Sequence, residues 1–406
     1  MKQFLVSTIL LLSLAPYGCK ISGQKIKKDD VFVAAYYFPN YHTGDERHSK
    51  NPDKGPEWSE WELVKEAKPR FENHEQPKVP MWGYLDEKDP KVMELKINTA
   101  VEHGIDCFIF DWYMYEDGPF LNKCIDEGFL QAENTNKIKF ALMWANHDWK
   151  NIHPHQRGTP VQLLYPGIVS PDRFDAICDH VIEKYFKQQN YWKIDNKPYF
   201  SIYDIKRFVN GFDNVNEAKK ALIKFDSKAK KAGFDGIHLN IVAWGSPILP
   251  GEEAPMNLTE IVNTFGFTSA TSYVWIHHVP INVPKDIDFL HVFNSYLKYW
   301  DKKTTEYTIP YIPNVTMGWD SSPRTVQSYD WNGTWGYPYT GIIVNNTPEN
   351  FKAALAKIKE KILENPNTPN IVTINCWNEW TEGSYLEPDT KYGLKYLEAI
   401  QSVFGN

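Results

Sequence analysis

Eight short runs rich in β-branched and aromatic residues, separated by stretches of helical periodicity, set the pattern of this chain. The runs are Val31 to Tyr37, Ile105 to Trp112, Lys139 to Asn146, Pro198 to Tyr203, Gly236 to Trp244, Thr268 to Val274, Tyr311 to Met317 and Ile371 to Trp377. Helical patterns fall between them at Pro90 to Glu102, Pro171 to Lys187, Val215 to Lys231, Asp286 to Lys302 and Pro348 to Glu364, with a last one at Gly393 to Phe404. Weaker signals at Phe120 to Glu133 and Leu258 to Thr264 supply the remaining crossovers. Strands joined by helices pair in parallel, so eight such units predict an α/β fold, a single (β/α)8 TIM barrel. A doubly wound open sheet is the competing arrangement. Against it, no run leads into the G-x-G-x-x-G turn of a dinucleotide fold or a Walker-type phosphate loop. The longest unpatterned stretches, Asn40 to Lys88 and His147 to Ser170, follow the first and third runs. On a barrel both would emerge at the C-terminal face, where barrel enzymes build their sites.

A barrel with long loops accounts for residues 31–406 of the 406 as one domain. With 23% charged residues and a formal net charge of −7, the chain has no basic footprint for a nucleic-acid partner. Aromatics reach 15%, including 15 Trp and 23 Tyr, enough to fill a core or to line a cleft with flat rings. Composition alone does not choose between the two.

At the N-terminus, Lys2 precedes an apolar run from Phe4 to Ala15, the length of an export signal and too short to cross a bilayer as a helix. The following Pro16-Tyr17-Gly18-Cys19-Lys20 and the polar stretch to Asp30 resemble a bacterial lipoprotein processing site, with Cys19 as the acylated residue. Residues 1–19 are therefore expected to be a signal peptide and 20–30 a polar linker. The mature chain is expected outside the cytoplasm, in the periplasm or at the outer membrane or cell surface, touching membrane only through its lipid. Ordinary secretion and an uncleaved anchor are the alternatives. Cys107, Cys124, Cys178 and Cys376 show no C-x-x-C spacing and are expected to be thiols.

The eighth run empties into Asn375-Cys376-Trp377-Asn378-Glu379-Trp380-Thr381-Glu382-Gly383 and continues to Leu386-Glu387-Pro388. Carboxylates at the exit of a barrel strand point into the site opening, where two of them can share acid and base roles on a sugar. The competing reading makes Glu382 a turn cap and Glu387 a partner for a rim lysine. The other strand ends favour chemistry on a carbohydrate, because aromatic rings stack on pyranose faces while carboxylates and amides take hydroxyls. Those ends are Tyr36 and Tyr37; Asp111, Trp112 and Tyr113; Trp144, Asn146, His147 and Asp148; Tyr203 and Asp204; Trp244; Tyr273 and Trp275; Trp319 and Asp320. An aromatic rim packed under long loops is the plainer alternative for any one of these rings.

Other signals carry less. His153, His155 and Asp148, and the pair His277-His278, raise a metal site, but no H-E-x-x-H or comparable array is present, so neither metal nor cofactor is expected. Ser295-Tyr296-Leu297-Lys298 matches S-x-x-K inside a helix pattern, without the companion motifs of serine acyl-enzymes. Asp286-Ile287-Asp288 matches the D-x-D of nucleotide-sugar transferases, yet its place after Pro284 suits a helix N-cap better.

The string Asn378-Glu379-Trp380-x-Glu382-Gly383, with Glu387-Pro388, resembles the catalytic signature of glycoside hydrolase family 99. Glu60-Trp61, Asn73-His74-Glu75-Gln76-Pro77 and Gly104-Ile105-Asp106 are similar to the related family named WbsX, whose members are often called glycosyltransferases. The likeness runs from about Val33 to Leu397. It implies a barrel glycosidase acting on α-linked sugars with retention. Glu379 would take the proton of the sugar 2-hydroxyl, which attacks its own anomeric carbon, and Glu382 would protonate the leaving oxygen and then activate water. Tyr37 would be the strand-1 active-site tyrosine. Glu60, Trp61, Asn378, Trp380 and Glu387 are expected beside the substrate with the strand-end residues, and Asp111 and Asp148 are reserve candidates for the second carboxylate. The chain departs from family 99 at Phe38-Pro39-Asn40, so that family's mannose specificity is not carried over. An exported glycosidase cleaving a poly- or oligosaccharide is the leading expectation, endo-acting if the cleft is open at both ends; a WbsX-like transferase and a non-catalytic glycan-binding lipoprotein are the alternatives.

Overall fold

A computed structural model describes residues 30–245, 247–249, 252 and 257–405. Cys19 and the whole expected signal peptide lie outside the described residues. Val31 onward forms one compact unit.

Its centre is a parallel barrel: β1 (Phe32–Tyr37), β2 (Cys107–Tyr115), β3 (Lys139–Trp144), β4 (Lys197–Ile202), β5 (His238–Val242), β6 (Ser269–Thr271), β7 and β8 (Ile371–Asn375). The seventh strand is split. Tyr311–Ile312 pair with β6 and Asn314–Thr316 pair with β8, the break falling at Pro313, which has no N–H to offer a ladder. Neighbours in the sheet follow chain order, and β1 pairs with β8 on one side and β2 on the other. The strands are buried along nearly their whole length, as a parallel sheet covered by helices requires.

The outer layer is α1 (Pro90–Glu102), α2 (Pro171–Val181), α3 (Val215–Lys231), α4 (Leu258–Thr264), α5 (Phe289–Glu306), α6 (Pro348–Glu364) and α7 (Lys395–Phe404). Three of these begin with a side-chain cap followed by proline. Asp89, Ser170 and Thr347 each accept from a first-turn backbone N–H, while Pro90, Pro171 and Pro348 occupy a position whose own N–H would be unpaired anyway. The crossover between β2 and β3 is different: a short antiparallel return, Gly118–Phe120, leads into a π turn over Cys124–Gly128 and a 3-10 turn over Phe129–Gln131. Asp286–Asp288 is not helical but pairs with Ile342–Val344. Its last residue, Asp288, caps α5 by accepting from the Leu290 and His291 N–H groups, as the N-cap reading expects. The serine and lysine of the S-x-x-K match lie inside α5.

The two long excursions leave the C-terminal ends of β1 and β3. The first carries a helix, Trp61–Glu66; the second carries a small hairpin of Trp149–Lys150 and Leu163–Tyr165. The four described cysteines are buried free thiols. No helix among the described residues is long and apolar enough to cross a membrane.

Candidate active site

A strand presents alternate residues to opposite faces, so each barrel strand sends one set of side chains inward and the other under the helices. On β2, Asp111 and Tyr113 turn into a hollow at the C-terminal end of the barrel, while Trp112 turns outward to His180 and Tyr185. On β1, Tyr36 meets Tyr273 inside the barrel. Tyr37 faces α1 and the turn before it: its hydroxyl donates to Glu87 Oε1 at 2.8 Å and accepts from Lys96 Nζ at 3.2 Å. Tyr37 and Trp112, both expected at the cleft, therefore stand one residue out of phase with it.

The hollow draws on the end of every strand. Phe38 follows β1, Met143, Ala145, His147 and Asp148 end or follow β3, Tyr203 follows β4, Ile248 and Leu249 follow β5, Tyr273 and His277 follow β6, Trp319 and Arg324 follow β7, and Glu379 and Glu382 follow β8. Burial pushes the rings of His147 and His277 down to about 4 and about 3, so both are neutral. His153 lines the hollow too, and its Nδ1 and that of His277 have no hydrogen-bond partner among the described residues.

Glu379 and Glu382 are held on either side of one guanidinium. Arg324 Nη2 lies 2.5 Å from Glu379 Oε1, and Nη1 lies 2.5 Å from Glu382 Oε1. Nη2 also reaches Glu60 Oε2 at 3.1 Å, and Nε donates to Thr381 Oγ1 at 2.9 Å. The Tyr337 hydroxyl donates to Glu382 Oε1 at 2.9 Å. Arg324 ends a 3-10 turn, Ser322–Arg324, and its carbonyl accepts from the His155 N–H at 2.8 Å, so the loop after β3 braces it. Burial raises both glutamic acids above the usual carboxyl range, with Arg324 pulling each back. Two such acids beside one cation give up their protons in sequence rather than together. Replacing Arg324 by Gln removes that pull, so both carboxyls should rise further. The acidic limb of the rate profile is then expected to move to higher pH, measured as kcat/KM against pH; an unmoved limb would show that the guanidinium does not govern the pair.

The Glu382-Gly383 step has a steric cause. Gly383 sits at φ +63°, and a Cβ there would lie 2.7 Å from Asp320 Cβ and 2.9 Å from Asp320 N. That close approach lets the Asp320 N–H donate to the Glu382 carbonyl at 2.6 Å.

Several motif residues form the bed under the turn rather than the hollow itself. The Asn378 side chain accepts from the Phe38 N–H at 2.8 Å and donates to the Phe38 carbonyl at 2.7 Å and to Glu87 at 2.7 Å. Glu387 accepts from the indole N–H groups of Trp377 and Trp380, at 2.9 and 2.8 Å. Lys96, from α1, lies 2.6 Å from both Glu87 and Glu387. Glu60 lies behind Arg324, and Trp61 packs on Tyr41 and Trp380. Asn146 exchanges hydrogen bonds with the Asp204 backbone, fastening the ends of β3 and β4. Trp244 donates to the Tyr203 carbonyl and stacks on its ring. Asp320 accepts from Gln76 and pairs with His74; against the penalty of burial, His74 holds its carboxyl below the usual range. Sequence reasoning thus brought Glu379, Glu382, Asp111, Tyr113, His147, Asp148, Tyr203 and Trp319 to the hollow. It missed Arg324 and Tyr337, which lie in turns without periodic pattern. No group of three or more His, Cys, Asp or Glu among the described residues is placed to hold a metal ion.

The family model described as glycosyltransferase WbsX matches residues 33–400. An uncharacterized protein, WxcX, of Xanthomonas campestris pv. campestris is 25% identical over 382 residues, covering 91% of this chain and 49% of that protein. The chain thus spans about half the length of the curated relatives it matches. Among solved structures, the family 99 endo-alpha-mannosidase of Bacteroides thetaiotaomicron in complex with BIS-TRIS-propane superposes with a TM-score of 0.53 at 14% identity, over 92% of this chain and 95% of that one. A glycoside hydrolase-like protein superposes with a TM-score of 0.58 at 14% identity, over 93% and 94%. These likenesses show a common fold, and the match of the family model over nearly the whole barrel shows descent: the chain belongs to the family described as glycosyltransferase WbsX.

Proposed function

We propose that this protein is a glycoside hydrolase that cleaves α-linked bonds of a poly- or oligosaccharide with retention, using Glu379 and Glu382. The observation that carries the reading is the pair of buried carboxyls flanking Arg324 in a hollow to which all eight strand ends contribute. In this reading the ionised Glu379 takes the proton of the sugar 2-hydroxyl, whose oxygen attacks the anomeric carbon as the glycosidic bond breaks. The neutral Glu382 gives its proton to the departing oxygen. Glu382, now a base, takes a proton from water, the water oxygen opens the 1,2-anhydro ring at the anomeric carbon, and Glu379 returns its proton to the 2-oxygen. Neutral imidazoles lining the hollow, whose buried Nδ1 atoms have no partner among the described residues, and the rings of Tyr113, Tyr203 and Trp319 suit sugar hydroxyls and faces. Incubation with a panel of α-linked glycans, followed by sizing of the products, tests the reading. New reducing ends are expected, a ladder of oligomers meaning cleavage within the chain and a single sugar meaning cleavage at its end. Glycan binding with no new reducing ends, or transfer from a sugar nucleotide, would replace it.

The same reading puts the enzyme outside the cytoplasm on a lipid at Cys19. A Cys19→Ala variant is then expected in the soluble fraction of the producing cell, with the unaltered protein in the membrane fraction; unaltered protein that stays soluble would count against the anchor.

A further inference from the structure

The Tyr273 hydroxyl, just past β6, lies 2.8 Å from Asp111 Oδ2 and 3.3 Å from Glu379 Oε2. A phenol has one proton to donate, so two ionised carboxylates cannot both accept from it. Either one of the acids is neutral, or two sets of lone pairs face each other in a buried site. The other contacts decide which acid keeps a proton. Glu379 has Arg324 at 2.5 Å on its second oxygen. Asp111 is 3% exposed, its Oδ1 has no partner, and no Lys, Arg or His among the described residues forms an ion pair with it. The titratable groups that bear on it are Tyr36 from β1, Tyr113 from its own strand, Tyr203 beyond β4, Tyr273, and Cys376, Glu379 and Glu382 beyond β8, none of them a cation. An isolated buried carboxylate in such surroundings is costly.

We propose that Asp111 stands as a neutral carboxylic acid in the unliganded site, donating from Oδ2 to the Tyr273 oxygen so that Tyr273 donates in turn to Glu379. The inference rests on the reading of Glu379 as the base, and makes Asp111 a positioning residue that acts on it through Tyr273. Burial acts in the same direction, raising the Asp111 carboxyl well above its usual range. The donor chain runs one way and ends on the carboxylate that must stay ionised. At high pH Asp111 ionises, draws the Tyr273 proton back, and adds a negative charge near Glu379.

The test is infrared difference spectroscopy at neutral pH without substrate, comparing the protein with Asp111→Asn. The unaltered protein is expected to carry carbonyl stretches of neutral carboxylic acids, that of the acid Glu382 among them, and Asp111→Asn to lose one of these bands while the Glu382 band stays. Tyr273→Phe is expected to keep the Asp111 band at a shifted frequency, and carries the test if Asp111→Asn does not fold. In turnover, Asp111→Asn is expected to move the alkaline limb of the pH profile upward, which a purely structural role would not do. A spectrum in which Asp111→Asn loses no such band, or in which the band next to Tyr273 is lost in Glu379→Gln instead, would overturn the proposal. Because the spectrum needs no substrate, that result beside inactive Glu379→Gln and Glu382→Gln variants would sink the Asp111 assignment alone. A confirmed band beside fully active Gln variants would instead sink the glutamate pair.

Discussion

Glu379→Gln and Glu382→Gln are each expected to give a folded protein whose turnover falls by about 10²- to 10⁴-fold or more, the range general acid–base groups supply. Glutamine keeps the shape of the side chain but cannot ionise, so the fold should tolerate the change while proton transfer fails. The two variants should differ with the leaving group. With an activated aryl leaving group, which departs without a proton, Glu382→Gln should recover much of its rate in the first step, and Glu379→Gln should not. Steady-state rates on a natural glycan and on an aryl glycoside check both statements. Near-normal turnover in both variants would remove the assignment.

Lys96→Met is expected to destabilise the protein by about 3–5 kcal/mol, the cost of breaking a buried ion pair from one side. Lys96 is 1% exposed and lies 2.6 Å from Glu87 and from Glu387, so methionine strands two carboxyls in the interior. Those carboxyls also receive Asn378, Trp377, Trp380 and Tyr37, the groups that seat the turn carrying Glu379 and Glu382. A lower urea midpoint is therefore expected together with reduced turnover at temperatures where the variant is still folded. A variant as stable as the parent would show that the three charges are not a unit.

Much of the barrel was legible because its signals are local. Pro90, Pro171 and Pro348 mark helix starts by occupying the first turn after a capping side chain, and α1, α3 and α6 begin and end where their periodicity does. Where pattern and structure part, tertiary pairing decided. Asp286–Asp288 read as the first turn of a helix but find a strand partner in Ile342–Val344, which lies more than 50 residues away. Tyr311 to Met317 read as one strand, but Pro313 divides it between two neighbours.

In the site, Glu379 and Glu382 were legible because strand exit and motif coincide. Tyr37 and Trp112 were misplaced because a strand end was read without its alternation, which sends Tyr36, Asp111 and Tyr113 inward instead. Asn378, Trp380 and Glu387 belong to the same motif, yet their hydrogen bonds spend them on the scaffold. Arg324 was not legible at all. It is one arginine in Ser-Ser-Pro-Arg, and only folding brings it against carboxylates 55 and 58 residues later.

Retention is the claim that most directly separates this chemistry from its rivals, and proton NMR of freshly cleaved glycan reads it. The α-anomer is expected first, turning into the equilibrium mixture only with time. Initial release of the β-anomer would mean that water attacks the sugar directly from the opposite face, and the pairing of Glu379 with the 2-hydroxyl would be wrong.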